Sequence, residues 1–120
     1  MAWEVEYTDE FGDWWTALDE TQQEDLRAYV VLLQESEQQQ WFPFSSKISG
    51  SRHGHMCELR ADSSGVPLRV FYALDWHRRA ILLIGGDKTG NDRFYAEYLP
   101  IADQLYDAQL ALLVQENEED

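Results

Sequence analysis

The chain has a single cysteine, Cys57, among its 120 residues. That excludes an internal disulfide and any cysteine cage for zinc, and it fits a reducing compartment. Positive charge is equally scarce: nine lysines and arginines stand against 23 acids, a formal net charge of -14. Such an acidic chain is not a sequence-blind binder of nucleic acid, because it repels phosphates at long range. Screening over about 8 Å in cell salt still leaves a local basic patch effective. Long apolar runs are missing too. A stretch such as Ala80 to Ile84 is far too short to span a bilayer. The first residues, MAWEVEYTDEF, carry neither the basic n-region nor the apolar core of a signal peptide, so a cytoplasmic location without membrane contact is expected.

What the chain does have is organised. Eight of its cations fall between Lys47 and Arg93, where there are only five acids, so this block alone is net positive. All three histidines, His53, His55 and His77, lie in it. A basic island in an acidic chain suggests a site for an anion such as a phosphate backbone, the alternative being surface charge on a mixed sheet between acidic helices. The length suits one domain covering residues 1–120, and a hydrophobic fraction of 44% with five Trp, six Tyr and five Phe suffices for a core.

Periodicity gives the elements. Trp3, Val5 and Tyr7 alternate with Glu4 and Glu6, the pattern of a half-buried strand. Thr8 or Asp9 caps a short helix carrying Phe11, Trp14, Trp15 and Leu18. Thr21 with Glu24 reads as a capping box for a second helix, in which Leu26, Tyr29, Val30 and Leu33 recur to about Gln38. After an irregular stretch with Pro43, Ser49, Gly50 and Gly54, three strands follow in quick succession: Met56 to Ala61, Leu68 to Leu74 and Ala80 to Ile84. Turns at 62–65 and 75–79 make them an antiparallel meander. Gly85-Gly86 ends the third. Asn91 or Asp92 caps a last helix with Phe94, Tyr95, Tyr98, Ile101, Leu105 and Leu110 facing inward, within which Pro100 starts a separate helix or kinks a continuous one. The tail from Gln115 to Asp120 is expected to fray. The expected fold is α+β in the order β-α-α-β-β-β-α: a small, antiparallel-dominated sheet with two N-terminal helices and one C-terminal helix.

Several groups in the basic block can carry chemistry. His53 and His55 at i, i+2 point the same way on an extended segment, and no third metal ligand accompanies them. Imidazoles titrate near neutrality, so acid–base work is the better use. Arg60 and Arg69 fall on neighbouring strands and are placed to clamp an oxyanion or phosphate, unless Glu58 or Asp75 pairs with them. The run Gly85 to Gly90 lacks the Walker spacing, which leaves Lys88 as a point charge. Arg93 and Tyr95 offer a cation beside a ring on which a base stacks.

Three segments resemble one family. Lys47-Ile48-Ser49-Gly50, followed by Glu58-Leu59-Arg60, is similar to the RelE/HigB toxin signature. Leu68-Arg69-Val70-Phe71-Tyr72 resembles that family's Arg-Val-x-Tyr strand. Ile81 to Lys88 resembles its strand ending in a glycine loop and a lysine. The likeness runs along nearly the whole chain and is closest to the phage Gp49-like, HigB-type branch. It implies the toxin of a type II toxin–antitoxin pair, an endoribonuclease that cleaves mRNA on the ribosome, needs no metal or other cofactor, and is silenced by a cognate helix-turn-helix, HigA-like antitoxin. In that family cationic side chains hold the scissile phosphate and the RNA 2′-hydroxyl attacks it. Carried onto this chain, Arg60 and Arg69 hold the phosphate, Lys47 and Arg52 bind flanking phosphates, and Lys88, Arg93 and Tyr95 line the far edge. His53 or His55 serves as base or acid, on chemical grounds more than by motif. The chain departs from the usual basic character of such toxins and keeps only Lys47 of the lysine-rich loop. The alternatives are a non-enzymatic, ParE-like topoisomerase inhibitor and a catalytically weak antitoxin-binding regulator.

Overall fold

A computed structural model of the chain describes residues 3–35, 45–54, 56–75 and 77–119. The elements run β1 (Glu4–Tyr7), α1 (Asp9–Ala17), α2 (Glu20–Glu35), β2 (Ser45–Lys47), β3 (Met56–Ser63), β4 (Val66–Leu74), β5 (Arg79–Asp87) and α3 (Phe94–Glu119). The five strands form one sheet in the order β1-β5-β4-β3-β2. The β3–β4–β5 meander is antiparallel, as the turn spacing requires. Two features go beyond the expected topology. The short strand β2 adds to the outer edge of β3, and β1 returns parallel to β5 at the opposite edge.

Local sequence accounts for most boundaries. The Thr8 hydroxyl accepts from the Phe11 N–H and donates to the Leu83 carbonyl at 2.6 Å, so a single side chain caps α1 and ties it to β5. The reciprocal box that opens α2 lies at Asp19 and Gln22, not at Thr21 and Glu24. Asp19 Oδ1 accepts from the Gln22 N–H at 2.8 Å, and Gln22 Oε1 accepts from the Asp19 N–H at 3.2 Å. The β3–β4 turn puts Ser64 and Gly65 at φ 50° and 84°, the left-handed pair a two-residue hairpin needs. Gly85 and Gly86 do not end β5; they lie within it. A Cβ on Gly85 would sit 2.2 Å from the Trp14 ring, and one on Gly86 would sit 2.8 Å from Phe94 and Tyr98. These glycines let aromatics press onto the strand from both faces. α3 runs through Pro100 as one helix, and Ile101, expected inside, is exposed.

Helices cover both faces. α1 and α2 pack on one, over Cys57, Leu59, Val70, Tyr72 and Leu82. α3 lies across the other, over Met56, Phe71, Ala73, Ile81 and Leu83. The acidic helices α1 and α2 therefore lie behind the sheet, while α3 shares the face that carries Arg60 and Arg69.

Candidate RNA-cleavage site

Period-2 alternation along β3 sends Met56, Glu58, Arg60 and Asp62 to the α3 face. Arg60 is paired directly with Arg69 of β4, and Glu58 with Phe71. Two guanidinium groups side by side on adjacent strands repel unless countercharged. The carboxylates of β3 supply that countercharge. Arg60 donates to Glu58 Oε1 at 3.3 Å and to Ser46 Oγ at 2.8 Å, and Arg69 donates to Asp62 Oδ1 at 3.0 Å and to the Leu68 carbonyl at 2.9 Å. Of the two acids expected as rivals for these arginines, Glu58 takes Arg60, while Asp75 pairs with Arg79 at 2.8 Å. Among the described residues, the Arg69 Nε–H is nonetheless buried without a hydrogen-bond partner. A buried donor left open costs about 1–3 kcal/mol, a cost that is relieved only if the Arg69 side chain shifts to bring this N–H to an acceptor.

The first turn of α3 completes the cluster. The Tyr95 hydroxyl donates a short hydrogen bond to Glu58 Oε2, and Lys88 Nζ stands 5.1 Å from the centre of the Tyr95 ring. Burial and the neighbouring Glu58 carboxylate push the Tyr95 hydroxyl up to about 12. Glu58 is 4% exposed, a charge held between Arg60 and Tyr95. From the sequence Glu58 reads only as a rival partner for the two arginines. Its position two residues before Arg60 on a strand was the available signal, because that spacing puts both on one face. Ser46 was likewise missed with its strand.

Other expected site residues lie elsewhere. The Nε2 of His53 meets Asp107 Oδ1 at 2.7 Å, its ring packs edge-on against Tyr106 at 4.7 Å, and Arg52 pairs with the same Asp107. Hydrogen bonds from Arg52 first, then His53, hold the Asp107 carboxyl below its ordinary value. Beside them Ser51 donates to Asp103. This is a latch fastening the 48–54 segment to the middle of α3. Asp107 is twelve residues beyond Tyr95, about 18 Å along the helix at 1.5 Å per residue. His53 and Arg52 are therefore not brought to the arginine pair. His55 lies outside the described residues. Lys47 is paired with Cys57, on the pleat facing α2 and opposite to Ser46, so it points away from Arg60. Arg93 is exposed immediately before α3. Among the expected residues, Arg60, Arg69, Lys88 and Tyr95 are the ones that converge.

This arrangement, a sheet with two helices behind and one in front, has the fold of the RelE toxins. A double-arginine mutant of Escherichia coli RelE in the free state superposes with a TM-score of 0.58 at 18% identity, over 78% of this chain and 92% of that one. The family model described as phage derived protein Gp49-like matches residues 13–107. HigB3 of Mycobacterium tuberculosis, named as a toxin, is 36% identical over 99 residues, 82% of this chain and 85% of HigB3. HigB2 of the same organism, also named as a toxin, is 34% identical over 100 residues, and the chain spans about half of its length. The chain belongs to the Gp49-like family and is a RelE/HigB-like toxin by descent.

Proposed function

We propose that the chain is an endoribonuclease toxin of a type II toxin–antitoxin pair, cleaving mRNA on the ribosome and neutralised by a cognate helix-turn-helix antitoxin in the cytoplasm. The observation that carries the reading is the Arg60–Arg69 pair on adjacent strands, beside the Glu58–Tyr95 contact, in a chain of toxin kinship. The two guanidinium groups suit a phosphate bidentately. In the reaction the RNA 2′-oxygen bonds to phosphorus, the bond to the 5′-oxygen breaks, and a 2′,3′-cyclic phosphate and a 5′-hydroxyl result. One proton leaves the 2′-hydroxyl and one reaches the leaving oxygen. On this face Glu58 is the acceptor within the cluster, Tyr95 and Arg60 orient it, and Lys88 lies over the Tyr95 ring. Holding the phosphate and stabilising its growing charge supplies most of the rate.

The test is growth and mRNA integrity on induction. Wild-type chain arrests growth and cuts mRNA in translating extracts, and the adjoining antitoxin gene relieves both. Arg69→Ala reduces cleavage by about 100-fold or more while the chain stays folded. Intact mRNA with active wild-type protein contradicts the reading, and gyrase-dependent DNA damage in its place identifies a topoisomerase inhibitor.

A further inference from the structure

The two arginines of the candidate site are countercharged by carboxylates of opposite character. Glu58, which takes Arg60, is 4% exposed and also accepts from the Tyr95 hydroxyl, so it is fixed within the cluster. Asp62, which takes Arg69, lies two residues beyond Arg60 on the same face of β3, opposite Pro67 and beside the hairpin turn. Its side chain is 68% exposed, against 12% for that of Arg69. One carboxylate belongs to the floor of the site, and the other stands at its rim.

The Arg69–Asp62 contact is also incomplete. Nη1 alone reaches Asp62 Oδ1, at 3.0 Å, and the same nitrogen donates to the Leu68 carbonyl at 2.9 Å. The Nε–H, which with an Nη–H forms an edge of the guanidinium suited to a bidentate oxyanion, has no acceptor among the described residues. A single-point ion pair with an exposed partner contributes little and is readily exchanged. A phosphate met by both donors of that edge gains two charge-assisted bonds, and Arg69 has to turn away from Asp62 to make them. In the free chain Asp62 has the opposite value. Arg60 and Arg69 are directly paired across adjacent strands, and like charges so placed repel unless a carboxylate stands beside them.

We propose that Asp62 is an internal stand-in for the substrate phosphate: it holds Arg69 in the free chain and is displaced when RNA enters. It acts through Arg69 and is a positioning residue that sets the affinity of the site. The inference rests on the endoribonuclease reading. It follows that a nucleic acid has to compete with Asp62 for Arg69, so the acidity of the chain tempers RNA binding at the site itself as well as at long range. Neutralising this one acid makes the chain a tighter binder.

The test uses ribosomes programmed with a message made uncleavable by a 2′-deoxy nucleotide at a mapped cut, titrated with the labelled chain. Asp62→Asn, which keeps an oxygen acceptor and loses the charge, tightens binding by about fivefold, the upper end for an exposed pair. On unmodified message the same variant lowers KM by a similar factor and leaves kcat within about twofold, because the pair is open in both bound substrate and transition state. Asp62→Glu, which restores the charge, binds within about twofold of wild type. In the Arg69→Ala background Asp62→Asn brings no gain. Asp87→Asn makes the same charge change at an exposed β5 position opposite Leu68, on the other pleat, and shifts binding by less than about twofold. Binding by Asp62→Asn that is unchanged or weaker, while wild type cleaves, overturns the proposal. So does a gain that is as large in Arg69→Ala or in Asp87→Asn, which reports general charge. These results leave the endoribonuclease reading standing. A wild-type chain that neither binds nor cuts on programmed ribosomes overturns the two together.

Discussion

Single residues show where polar and steric constraints are concentrated. Gly85 is the sharpest case, because a Cβ there meets the Trp14 ring at 2.2 Å. Gly85→Ala is expected to cost about 1–3 kcal/mol through displacement of that ring, measurable by denaturant titration. Trp14→Leu in the same background should recover part of the loss. Tyr95 links stability to pH. Its hydroxyl ionises at about 12, above the ordinary 10, so the stability it contributes is fully present below pH 10 and is lost as pH rises through 12. Alkaline titration followed by phenolate absorbance should lose its increment near pH 12 in Tyr95→Phe. Burial likewise pushes the Cys57 thiol up to about 12. The native protein should therefore leave a thiol reagent unreacted at pH 8 and consume one equivalent on unfolding.

The elements divide into those the sequence dictates and those only the packed molecule dictates. The β3–β4–β5 meander was legible because its strands are bounded by Asp62-Ser63-Ser64-Gly65 and by the 75–79 turn. The α3 face was legible from Phe94, Tyr98 and Leu105, with Ile101 the exception. β2 was not: three residues, Ser45 to Lys47, carry no periodicity, and they become a strand only because β3 offers an edge. Gly85-Gly86 read as a terminator because glycine disfavours strands. Here the close approach of Trp14, Phe94 and Tyr98 outweighs that preference. The site was half legible. Arg60 and Arg69 fall opposite each other by strand arithmetic alone. The placement of His53 depended on Asp107, fifty-four residues further along the chain, and no local pattern reports such a contact. The latch makes its own prediction. Asp107→Asn removes the shared carboxylate of Arg52 and His53. It should speed amide exchange in the 48–54 segment while changing global stability by less than about 1 kcal/mol, since the pair is exposed.

For the whole molecule, the question raised by its charge is how so acidic a protein meets RNA. The sheet separates the two. α1 and α2, with most of the N-terminal acids, pack behind it, and the arginine pair lies in front near the start of α3. Among the acids of α3, Asp103 and Asp107 are engaged by Ser51, Arg52 and His53. With a Debye length near 8 Å in cell salt, the rear helices are screened from a phosphate held in front. No helix among the described residues is long and apolar enough to cross a membrane. The central claim is that Arg60 and Arg69 hold a phosphate while the adjacent 2′-hydroxyl attacks it. The most direct measurement is cleavage of a ribosome-bound mRNA carrying a single 2′-deoxy substitution at the scissile nucleotide, with end analysis of the unmodified message. The account predicts 2′,3′-cyclic phosphate and 5′-hydroxyl ends from the normal mRNA and no cut at the deoxy position. Cleavage that survives the deoxy substitution, or that leaves a 5′-phosphate, would contradict it.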